Sequence, residues 1–227
     1  MPGNAKIAVI AALPREIAGF VRGLGADPAL LRDGVWLYRM NGAVVVAAGM
    51  GAERAAGAVE AALLAGEVGM LISTGLAGGC VPGLEAGAVL EAGVVVDVAT
   101  GERFGAGDGS GETLATVGAI AGVAEKGRLA ERFGAVMVDM EAAGVARLAL
   151  AKGVAFRAIK GVSDGYDFEL SALAKFEGER GSFRTGAFAA YTAVRPWTWG
   201  KTITLGRVSA RGLAGLEAAL RKLLAES

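Results

Sequence analysis

The chain has 227 residues, 53% of them hydrophobic, and its 23 basic side chains are balanced by 23 acidic ones. That length suits one large α/β domain, and the balanced charge removes any general pull toward nucleic acid. There is no histidine and Cys80 is the only cysteine, which excludes Ser-His-Asp, Cys-His and histidine–metal chemistry and any intrachain disulfide. Acid–base work must fall to carboxylates, lysine, tyrosine or bound water. The start, Met1 to Lys6, has no charged-then-apolar signal pattern, and no run is apolar enough to span a bilayer, so a cytoplasmic location is expected.

Taken in order, Lys6 to Ala11 reads as a buried strand, and Pro14 fits the first turn of a helix. Arg15 and Glu16 then lie at that strand's carboxyl end. Trp36 to Met40 and Ala43 to Ala48 flank Asn41-Gly42, a two-residue hairpin signal. The second of these strands ends in Gly49-Met50-Gly51 and enters an Ala-rich helix extending to about Leu64. Glycines at such a turn let backbone amides approach an anion. The match to a dinucleotide fingerprint is partial, because Arg54 stands where the third glycine or alanine belongs.

Met70 to Ser73 predicts a short strand, and Thr74 to Cys80 a glycine-rich loop over the same sheet edge. After the turn at Val81 to Gly87, a strand is expected from Ala88 to about Val98. The glycine-rich stretch Thr100 to Glu112 reads as a flexible surface loop. Thr113 to Val117 predicts a strand and Glu125 to Arg132 a short helix. Val136-Met137-Val138 then runs straight into Asp139-Met140-Glu141 and an Ala-rich helix from Asp139 to about Lys152, with Gly153 as its stop. Two carboxylates on one tight turn are costly unless something polar or positive meets them; an ordinary N-cap role for Asp139 remains the plainer alternative. Ala155 to Val162 is a further buried strand ending in Ser163-Asp164. An apolar helix from Thr185, a break at Arg195-Pro196 and a last helix from about Val208 to Ala225 complete the chain. Many strands end in glycine, serine or acid, which points to one cleft along the carboxyl edge of a sheet.

Four stretches together resemble the purine nucleoside phosphorylase / nucleosidase superfamily: Lys6 to Glu16, Gly49-Met50-Gly51, Ser73 to Gly79, and Val138-Asp139-Met140-Glu141-Ala142 with the later Ser163-Asp164. The likeness is closest to methylthioadenosine/S-adenosylhomocysteine nucleosidases and to the hopanoid-associated phosphorylases, the latter through Glu125 to Ala130, Lys160 and the Arg-Pro-plus-aromatics tail. The resemblance implies a single domain over residues 1–227, an α/β fold in three α/β/α layers around a twisted, mostly parallel mixed sheet. It implies cleavage of the N-glycosidic bond of an adenosine-type purine nucleoside. Asp164 then stands as the acid to the purine, beside Ser163. Glu141 stands as the ribose-gripping carboxylate with Met140 under the sugar, and Glu16 as the group that positions water. Gly75, Ala77, Gly78, Lys160 and Val117 fall in the substrate-binding set. The stretch Val117 to Ile120, where a purine-stacking wall would stand, is shortened and has no aromatic.

The acceptor is the open choice. Phosphorolysis, slightly favoured, needs a cationic, amide-lined pocket, for which Gly51, Arg54 and Arg15 are the candidates and inorganic phosphate the co-substrate. Hydrolysis would use Glu16 and water. No metal or other cofactor is expected, and the resemblance implies a homodimer. The rivals are a catalytically silent nucleoside-binding protein on the same scaffold and a nicotinamide-dependent oxidoreductase. Solvated or capping roles for Glu16 and Asp164 also stand. In the tail, Trp197, Trp199, Ile203 and Leu205 alternate with Arg195, Lys201 and Arg207; packing against protein is the favoured reading over contact with a membrane surface.

Overall fold

The computed structural model describes residues 6–31, 33–169 and 199–226, and over 199–205 the helical backbone alone. Among the described residues, nine strands form one mixed sheet: β1 (Lys6–Ala11), β2 (Trp36–Met40), β3 (Ala43–Ala47), β4 (Val68–Gly79), β5 (Val89–Asp97), β6 (Arg103–Gly105), β7 (Glu112–Thr116), β8 (Met137–Asp139) and β9 (Ala155–Asp164). Their order is β2-β3-β1-β4-β8-β7-β5-β6, with β9 pairing both β4 and β5. The helices among the described residues are α1 (Pro14–Ile17), α2 (Pro28–Leu31), α3 (Ala52–Leu64), α4 (Val123–Phe133), α5 (Ala142–Lys152) and α6 (Trp199–Ala225).

The three layers follow from the strand period. Along β1, Ile7, Val9 and Ala11 face one side, while Ala8 and Ile10 face the other. Leu216, Leu220 and Leu223 of α6 join the first set, a helical i, i+4, i+7 stripe. Ala55, Ala58, Val59 and Ala62 of α3, with Val145 and Ala149 of α5, cover the second. The alanines allow close approach between these helices: a Cβ on Gly144 of α5 would lie 3.0 Å from the Ala52 carbonyl. Central β1 is wholly apolar beyond Lys6 because helices cover both of its faces.

One expected loop is sheet and a second holds a short strand. Thr74 to Gly79 continues β4 instead of turning, because β9 pairs along one edge and β8 pairs at Gly78 and Gly79 on the other. Thr100 to Glu112 contains β6, antiparallel to β5, with Phe104 buried. Its Gly111 lies backbone to backbone against Gly93, so glycine there permits packing. Helix α5 begins at Ala142, so Asp139 is the last residue of β8. Its carboxylate still accepts the Ala142 N–H, at 3.0 Å. The last helix starts at Trp199, well before Val208. The expected helix from Thr185, Arg195-Pro196 and Trp197 lie outside the described residues, as do the side chains of Trp199, Lys201, Ile203 and Leu205. No helix among the described residues is long and apolar enough to cross a membrane.

Candidate active site

A cavity of about 490 Å³ opens at the carboxyl ends of β1, β4, β8 and β9, in the size range of small-molecule sites. Glu16, Glu141 and Asp164 all line it, although the chain separates them widely. Arg15, Met140, Ser163, Ala77, Gly78 and Val117 of the expected set line it too.

Glu16 is presented by the short turn of α1 that Pro14 initiates. Its Oε2 accepts the N–H groups of Ala12 (3.1 Å) and Leu13 (2.9 Å), and Oε1 accepts that of Leu76 (3.2 Å). Three backbone donors fix one carboxylate at the cavity wall. Gly75 makes this possible in two ways. Its φ of +119° disfavours any side chain, and a Cβ there would lie 2.9 Å from Glu16 Oε2. Gly75 therefore leaves room for the acid and does not itself line the cavity.

At the end of β8, the two clustered acids are met differently. Asp139 is buried, accepts the Thr116 hydroxyl at 2.7 Å and pairs with Lys160 Nζ at 2.9 Å. Lys160 also donates to the Ser73 hydroxyl (3.0 Å) and the Thr74 carbonyl (3.1 Å), and it is fully enclosed. Lys160, expected in the substrate-binding set, does not line the cavity. Burial disfavours its charge, but the carboxylates of Asp139, Glu141 and Glu16 outweigh that and raise its pKa.

Glu141 Oε1 accepts the Gly51 N–H at 2.8 Å. The glycine turn that was a candidate anion cradle is thus already occupied by a protein carboxylate. Burial first, then the neighbouring Asp139 carboxylate, push Glu141 up to about 8, against the pull of Lys160 and the Gly51 N–H. The folded protein therefore holds this proton more tightly than the unfolded chain does. The resulting stability is complete below pH 4.5 and is lost as pH rises toward 8. The Glu141→Gln variant should lack this component, whose slope reaches at most about 1.4 kcal/mol per pH unit. Urea midpoints for both proteins at pH 5 and pH 8 check it, and identical pH slopes would contradict it.

Asp164 closes β9, 3% exposed. One carboxyl oxygen meets the Ser163 hydroxyl, which also lies 3.1 Å from the Ala77 carbonyl. The other meets Lys126 Nζ from α4. Burial raises the Asp164 pKa, and the Lys126 ammonium and the Ser163 hydroxyl only partly offset it. Gly78 again gives the room: a Cβ there would stand 3.2 Å from Lys126 Cε and 3.3 Å from Asp164 Oδ2.

Lys126 was not among the expected site residues. The signal for it was a lysine three residues before Leu129, on the buried stripe of an otherwise charged helix. Val117, Ala119 and Ile120, an apolar stretch without an aromatic, also line the cavity, as do Ser209, Ala210 and Leu213 of α6. Of the expected anion-binding set only Arg15 lines the cavity. Arg54 does not, and its guanidinium sits beside Gly34.

No curated protein sequence matches the chain. Residues 98–190 match the model of the phosphorylase superfamily, a span that contains β8, its acidic turn and Asp164. In fold, the chain is similar to native futalosine hydrolase of Helicobacter pylori, at 17% identity and a TM-score of 0.67, over 96% of this chain and 98% of that one. It is also similar to a Helicobacter pylori MTAN mutant with 5′-methylthioadenosine in its active site, at 19% identity and a TM-score of 0.64, over 84% and 98% of the two chains. A third is the 5′-methylthioadenosine/S-adenosylhomocysteine nucleosidase of S. pneumoniae with a transition-state inhibitor, at 24% identity and a TM-score of 0.60, over 71% and 87%. The superfamily that the four sequence stretches resemble is the one whose model residues 98–190 match, and most of the chain shares the fold of these hydrolases.

Proposed function

We propose that the protein is an enzyme that hydrolyses the N-glycosidic bond of a purine nucleoside. The observation that carries this reading is the convergence of Glu16, Glu141 and Asp164 on one cavity. As the C1′–N9 bond lengthens, its electron pair moves onto the purine and the sugar takes on oxocarbenium character. Protonated Asp164 delivers its proton to the purine as that negative charge develops. Glu141, once ionised, stabilises the cationic sugar face and accepts hydrogen bonds from ribose hydroxyls. Glu16 orients a water toward C1′ and takes its proton, so purine and ribose are released and solvent exchange resets both acids. The division of labour parallels that of the two carboxylates in inverting glycosidases.

Hydrolysis is preferred to phosphorolysis on a specific observation. The Gly51 amide is committed to Glu141, and Arg54 does not line the cavity. Of the anion-binding trio that phosphate would use, Arg15 alone lines the cavity. The test is product analysis with adenosine-type nucleosides and inosine. Free purine and free ribose are expected at equal rates with and without phosphate. Turnover only in phosphate buffer, giving ribose 1-phosphate, would restore the phosphorylase reading. Thermal protection by adenine with no turnover of any nucleoside would favour a silent binding protein.

A further inference from the structure

We infer that Lys126 is a positioning residue for the acid: by engaging Oδ2 of Asp164, it leaves Oδ1 as the oxygen that carries and delivers the proton. The inference rests on the reading of Asp164 as the purine-protonating group. Lys126 is 1% exposed, yet it reaches the cavity wall from α4. A lysine ammonium has three N–H donors and no acceptor. Here three acceptors meet it: Asp164 Oδ2, the Gly165 carbonyl at 2.8 Å and the Phe168 carbonyl at 3.2 Å. With every donor spent, Lys126 has none left to read the purine edge, and its charged amine has no lone pair with which to attack the sugar.

What it can do is fix a proton. Oδ2 faces an N–H and must accept, so the protonated acid carries its hydrogen on Oδ1. That oxygen meets the Ser163 hydroxyl. A single hydroxyl proton serves one acceptor at a time. When it points to the Ala77 carbonyl, at 3.1 Å, Ser163 Oγ is free to accept from Oδ1–H. The chain Asp164–Ser163–Ala77 then runs in one direction, anchored by Lys126 at its far end.

The same contact prepares the product state. When Asp164 gives up its proton, the new carboxylate lies beside a buried cation, whose attraction is weakly screened. Just beyond β4, the Cys80 thiol feels both Lys126 and Asp164, and burial pushes it up to about 12, so it stays neutral. Lys126 is therefore the charged group that tunes the acid among the described residues. Burial holds the proton on Asp164, and Lys126 keeps that hold loose enough for transfer.

Lys126→Met should lower kcat on the order of 10²-fold with a smaller change in KM. It should also move the alkaline limb of the kcat/KM profile to higher pH, because the charge that eases Asp164 ionisation is gone. Lys126→Arg, which keeps the charge, should leave that limb near its native position. A Met variant whose limb coincides with the native one overturns the inference. Should the Met variant not fold, carbon NMR on the native protein decides: the Lys126 side-chain resonance should follow the Asp164 titration and lose that response in Asp164→Asn. A resonance indifferent to that titration also overturns it. A native protein that cleaves no nucleoside defeats the functional reading instead, while the carbon titration still reports whether Lys126 holds the acid.

Discussion

Asp164→Asn is expected to lower kcat by about 10²–10⁴-fold, the usual contribution of a positioned general acid. The amide keeps the shape of the side chain and can still accept from Lys126, but it cannot protonate the purine as the bond to C1′ breaks. Burial already raises the Asp164 pKa, which is the condition for an acid that must hold its proton near neutral pH. Two measurements separate chemistry from folding. The thermal midpoint should change little, and a riboside with an activated leaving group, which departs without protonation, should lose far less rate than a purine nucleoside. Equal losses on both substrates, or activity within tenfold of native, would remove Asp164 from the role of acid.

Lys160→Met is expected to destabilise the fold by about 3–5 kcal/mol, the cost typical of leaving a buried charge without its partner. The substitution strands the Asp139 carboxylate, which is buried with Lys160 at 2.9 Å. It also deletes the donors to the Ser73 hydroxyl and the Thr74 carbonyl. The pair binds β9 to the end of β8, so its loss should loosen Glu141 as well, which neighbours both groups. Denaturant unfolding checks the magnitude. Adding Asp139→Asn should recover part of the loss, because the two sites form one pair and their effects are coupled. Additive losses in the double variant would mean that Lys160 supports the sheet through its hydrogen bonds alone.

Much of the fold was legible where one rule decided the outcome. Lys6–Ala11 is apolar throughout beyond its first residue and became an inner strand. Asn41-Gly42 set the β2–β3 hairpin, and Gly153 ended α5 in a left-handed cap. The errors cluster where glycine has two meanings. Gly75 and Gly78 read as loop residues because local chemistry permits a turn there. In the folded chain they are sheet positions kept bare so that Glu16, Asp164 and Lys126 can occupy the space. A side chain arriving from a distant segment leaves no local trace.

The identities of the acids, the absence of histidine and the strand-to-helix alternation were properties of the sequence alone, since residue type and period need no partner. They limited the chemistry to carboxylates and put Glu16, Glu141 and Asp164 at strand ends. Only the tertiary structure decided what each polar group faces. It gave the Gly51 amide to Glu141, enclosed Lys160 under Asp139, and brought Lys126 from a separate helix onto Asp164. The physical reason is that burial and charge pairing are set by contacts between segments far apart in the chain. A lysine's composition is the same in water or in a core, and its partner is not written beside it.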